Sequence, residues 1–90
     1  MKVILTESAL VDLGEIYEHL SQFDPLIKKS FKSQLLQVLS RIKRFPQRSP
    51  SVVGRKVHVA ILPKYPYKIF YTVGLEFVEI LHIYHSSRNV

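Results

Sequence analysis

The sequence predicts an α+β domain in the order β-α-α-β-β-β, an N-terminal helical hairpin packed on one face of a small, mostly antiparallel sheet. Three observations carry this. Two amphipathic stretches with apolar residues three and four apart come early, over residues 9–20 and 27–45. Period-two patterns rich in β-branched and aromatic residues follow, over 67–73 and 77–84. Helices grouped before strands, rather than alternating with them, point away from an alternating α/β sheet.

Val3-Ile4-Leu5 reads as a short strand, and Thr6 as the N-cap of the helix behind it. Ala9, Leu10, Leu13, Ile16, Tyr17 and Leu20 make that helix amphipathic, and Glu7 suits the positive end of its dipole. It stops near Ser21 or Gln22, because Asp24-Pro25 restarts the chain as N-cap and first helical residue. The second helix carries Ile27, Phe31, Leu35, Val38, Ile42 and Phe45 on one stripe, widened by Leu39, and Pro46 closes it. A link of three or four residues makes the pair an antiparallel hairpin. Residues 46–54 are loop by their Pro, Ser and Gly content, and a strand is expected over 55–62, stopped by Pro63. Pro66 can open the next strand without removing a donor from its middle. In that strand Tyr67, Ile69, Tyr71 and Val73 alternate with Lys68, Phe70 and Thr72. Gly74 supplies the freedom that a short connection to the last strand needs. Both faces of this hairpin carry apolar residues, so it belongs at the centre of the sheet, whose second face stays partly open.

Ninety residues make one domain, 1–90, with no room for a second. The absence of cysteine removes disulfides, thiolate metal ligands and cysteine nucleophiles together. No apolar run approaches the roughly 20 residues that span a bilayer. Glu7 interrupts the N-terminal apolar run before it reaches the length of a signal segment. The expectation is a soluble, cytoplasmic protein with no membrane partner. The net charge of +6 is unevenly spread. Glu7, Asp12, Glu15 and Glu18 make the first helix acidic, with no Lys or Arg among residues 7–22. Lys28, Lys29, Lys32, Arg41, Lys43, Arg44 and Arg48 stand against Asp24 alone over 23–50. Such a balance favours an acidic or polyanionic partner, whether nucleic acid, ribosome or an acidic protein segment.

Little in the chain suits covalent or metal chemistry. His82 and His85 are three apart, and on a strand that spacing sends them to opposite faces, so they do not share an ion. No metal and no cofactor is expected. The serines lie in no nucleophile elbow, and three scattered glycines make no phosphate loop. Glu79 and His85 are expected on one face but about 20 Å apart, too far to serve one substrate as acid and base. Phosphate handling survives. Arg55 opens one strand, Lys68 sits in the next, and His85 and Arg88 end the last. Arg55 and the His85–Arg88 segment are expected at one end of the sheet, with Lys68 more distant. There they would stabilise developing phosphate charge while His85 moves a proton, or else stand as ordinary strand-end charges in water. Tyr65, Tyr67, Tyr71 and Tyr84 offer stacking surfaces for bases, or line the edge of the core.

Five segments in the right order resemble the ParE/RelE superfamily of bacterial type II toxin–antitoxin systems, ParE-like members above all. Ala9 to Tyr17 is similar to the pattern A-x-x-D-L-x-x-I-x, and Leu39 to Pro46 to the close of the second helix. Gly54-Arg55 resembles the basic start of the second strand, and Tyr65 to Tyr71 the strand Y-P-Y-x-I-x-Y. Ile80 to Arg88 resembles the ending I-L-x-x-x-H-x-x-R. The resemblance implies a toxin bound and neutralised by an acidic, partly disordered antitoxin. ParE-like members inhibit DNA gyrase without hydrolysing anything, which makes Arg55, Lys68, His85 and Arg88 candidate target contacts. RelE-like members cut mRNA in the ribosome without metal, and on that alternative Arg55, Lys68 and His85 are the candidate catalytic set; a third alternative is an inactive relative that only binds its antitoxin. Two departures from the cutting members stand out: Lys68 replaces the more usual Arg, and Ser86-Ser87 follows His85 with no terminal Tyr.

Overall fold

Two helices bury their apolar stripes against one face of a four-stranded sheet. The computed structural model describes residues 1–51 and 56–88. In chain order these form β1 (Lys2–Leu5), α1 (Glu7–Leu20), α2 (Pro25–Arg44), β2 (His58–Ile61), β3 (Tyr67–Val73) and β4 (Phe77–His85). The strands lie in the order β1-β4-β3-β2, with β1 parallel to β4 and the other pairs antiparallel. The apolar hairpin β3–β4 is therefore central, as its two-faced pattern predicts.

Both helix starts are capped by the expected residues. Thr6 Oγ1 accepts from Ala9 N at 3.2 Å, and Asp24 Oδ1 accepts from Leu26 N at 2.9 Å. Thr6 also donates through Oγ1 to Ile80 O at 2.8 Å, fastening the start of α1 to β4. Ala9, Ile16 and Leu20 of α1 and Phe31, Leu35, Val38 and Ile42 of α2 are buried. They share one core with Ala60, Ile69, Tyr71, Val78, Ile80 and Ile83 of the sheet. Phe31 meets the edges of Tyr17, Tyr65 and Tyr67 at ring distances of 5.5–5.6 Å. Burial pushes the phenols of Tyr17 and Tyr67 above their ordinary range, so both stay neutral.

Two stripe residues leave the core. Leu10 is 56% exposed, since it lies about 100° around the helix from Ala9. Phe45 is 45% exposed because it is already the cap of α2, with φ −135° and ψ 66°, and its side chain departs from the helical row. The strand expected over 55–62 is shorter, beginning at His58. There the 46–51 segment folds against β2: Val59 N donates to Pro50 O at 3.0 Å, and Ser51 bridges His58. Tyr71 Oη donates to Pro46 O at 2.8 Å and anchors the same segment from beneath. Gly74 does not use a left-handed backbone. Its N–H donates to Phe77 O at 2.8 Å, and a Cβ there would meet that oxygen at 3.3 Å.

The β3–β4 ladder contains a bulge. Phe70 pairs with His82 but Tyr71 pairs with Ile80, so Leu81 is an extra residue on β4. Val78, Ile80, Ile83 and His85 consequently share the helix-side face, opposite Val73, Tyr71, Ile69 and Tyr67. Glu79, His82 and Tyr84 share the open face with Thr72, Phe70 and Lys68. The expectation that Glu79 and His85 lie on one face is thus overturned, because the bulge shifts the alternation between them. His82 and His85, both beyond the bulge, do fall on opposite faces.

Candidate functional site

β1 ends at Leu5, so the second half of β4, from Leu81 to His85, has no strand on that side, and α1 lies there instead. Asp12, on the flank of the apolar stripe of α1, accepts from Ile83 N at 2.9 Å through Oδ2. The same oxygen lies 3.0 Å from His82 Nδ1. This is the only acid–base contact within 4 Å among the described residues. One carboxylate therefore satisfies a backbone donor that the short β1 leaves free, and fixes an imidazole as well.

From His82 the arrangement continues by stacking. The His82 and Tyr84 rings lie 4.5 Å apart at 25°, and the guanidinium of Arg88 sits 4.0 Å from the Tyr84 ring centre. Phe70 packs beside Tyr84 at 5.6 Å and is buried on the otherwise open face. Lys68 is the cross-strand partner of Tyr84. Of the predicted cations, Arg88 thus sits over the Tyr84 ring and Lys68 is that residue's neighbour on the adjacent strand. An open cleft lined by Ser8, Val11, Asp12, His82, Tyr84 and Arg88 runs between α1 and this end of β4.

His85 stands apart from Lys68. It faces the helix side opposite Tyr67, at a ring distance of 5.6 Å. Its Nδ1 accepts from Ser87 N at 3.2 Å and contacts Ser87 Oγ at 2.8 Å, while its carbonyl accepts from Arg88 N at 2.9 Å. His85 thereby shapes the turn that carries Arg88.

Arg55 lies outside the described residues. Among the described residues, the start of β2 and the end of β4 do not lie at one end of the sheet. β2 and β4 run in the same direction, so the start of β2 at His58 pairs with Tyr71, itself opposite Ile80. The end of β4 instead neighbours the start of β3, which makes Lys68 the near cation. Asp12 was not among the expected site residues, whereas His82 was weighed there as a metal ligand and Tyr84 as a stacking surface. No local spacing marked Asp12, whose partners Ile83 and His82 lie at the far end of the chain. Tyr67 and Tyr71 belong to the core, which leaves Tyr84 as the described tyrosine at this cluster.

The sequence profile described as the ParE toxin of the type II toxin–antitoxin system parDE matches residues 3–90. No curated sequence matches the chain significantly. Among solved structures, a chain of the chromosomal ParDE TA system from P. aeruginosa superposes with a TM-score of 0.80 at 18% identity. The superposition covers 94% of this chain and 95% of that one, and shows a common fold. With nearly every residue inside the matched span, the chain belongs to the ParE toxin family of type II toxin–antitoxin systems.

Proposed function

We propose that this toxin acts by holding DNA gyrase rather than by cutting RNA, and that an acidic antitoxin neutralises it. The observation that carries this is the separation of His85 from Lys68 by the sheet. Cleavage of RNA needs a proton-transferring group within hydrogen-bond reach of the same phosphate that the cations hold. Of the two histidines at this end of β4, the exposed His85 has its Nδ1 occupied by Ser87, and His82 is held by Asp12. What remains is a candidate binding surface of Lys68 and Arg88, with His85 on the other face of the same sheet end, while Arg55, outside the described residues, is kept as a separate candidate contact. A contact surface needs no proton transfer.

The reading is tested with one purified protein in two assays, gyrase supercoiling and cutting of ribosome-bound mRNA. Inhibition of supercoiling, weakened more by Arg88→Ala than by His85→Ala, is the expected result. Message fragments produced by the wild type and lost in His85→Ala would overturn it. The ribosome-dependent alternative would then stand.

A further inference from the structure

We infer that Tyr84 and His82 are positioning residues that hold the Arg88 guanidinium in place for its target. The inference rests on the reading of Arg88 as a target contact. Arg88 follows the last strand and is exposed, and an arginine side chain in such a place ordinarily samples many rotamers. Here its guanidinium lies 4.0 Å from the Tyr84 ring centre. The Tyr84 ring is stacked in turn on His82. His82 is tied by Nδ1 to Asp12, and Asp12 is fixed by the Ile83 backbone. A series of short contacts thus runs from the rigid α1–β4 junction to a charge beyond the end of the strand. A planar guanidinium held over a ring keeps its N–H edge free for a carboxylate or phosphate and loses less freedom on binding. Phe70 supports the ring from the neighbouring strand.

The test combines a spectroscopic and a functional readout. The ring current of Tyr84 should shift the Arg88 side-chain protons upfield in the NMR spectrum of the wild-type protein. That shift should persist in Tyr84→Phe, shrink in His82→Ala and vanish in Tyr84→Leu. Gyrase inhibition should follow the same ranking. Loss of an exposed cation–π contact should raise the inhibitory concentration about two- to fivefold, with the melting temperature as a check on folding. An unshifted Arg88 in the wild type would overturn the inference, with no variant required. So would undiminished inhibition in both His82→Ala and Tyr84→Leu while Arg88→Ala is impaired. If Arg88→Ala itself inhibits fully, the reading of Arg88 as a target contact fails, and with it the purpose of the platform.

Discussion

Asp12 shows how one side chain can decide the geometry of a small domain. Its Oδ2 closes the ladder where β1 runs out and fixes His82 in the same act. Asp12→Ala should destabilise the fold by about 1–3 kcal/mol, the usual cost of leaving a shielded donor without its acceptor. A urea melt measures this, and an unchanged midpoint would mean that water replaces the carboxylate without loss. Tyr71→Phe provides a milder comparison. It removes only the bond to Pro46 O and should cost about 0.5–1.5 kcal/mol. The caps at Thr6 and Asp24 were legible in the sequence because a cap is a local device, read from its own residue and the few that follow. Asp12 was not, because its partners Ile83 and His82 lie at the far end of the chain, and no local spacing announces them.

At the scale of the element, α2 is the clearest case of pattern becoming structure. Phe31, Leu35, Val38 and Ile42 recur at helical spacing and are all buried. Leu35→Ala and Ile42→Ala should each cost about 2–5 kcal/mol, a large part of the stability of a domain this size. Denaturant melts that leave both variants unaffected would place the stripe against solvent or a partner instead. The strands were legible in type and order, but not in register. An alternating pattern carries no mark of an extra residue, so the bulge at Leu81 stayed hidden, and with it the face on which Glu79 stands. The mutual direction of β2 and β4 follows from topology alone, since two antiparallel steps restore the original direction. That relation makes Lys68 the neighbour of Tyr84 and moves the start of β2 away from Arg88.

For the whole molecule, charge is divided between the helices, acidic on α1 and basic on α2. None of the described Lys or Arg side chains lies within 4.0 Å of a carboxylate. Arg44 and Arg48 instead flank the exposed Phe45 ring, at 5.6 and 4.6 Å. An acidic partner with apolar anchors complements such a surface. A micromolar excess of the cognate antitoxin should therefore raise the melting temperature, since only the folded toxin binds it. An unmoved transition would remove the antitoxin from this surface. The pairing of β1 with β4 has a consequence for the order in which the molecule assembles during synthesis. Lys2 finds its partner in Phe77, so the first strand made must wait for the last. Until then α2 presents Phe31, Leu35, Val38 and Ile42 with no sheet to cover them. Contacts so distant along a chain close slowly, and exposed apolar stripes are what chaperones and aggregation capture meanwhile. A nascent chain that stops after α2 therefore has neither the sheet that covers its apolar stripe nor the C-terminal segment that carries His82, Tyr84 and Arg88.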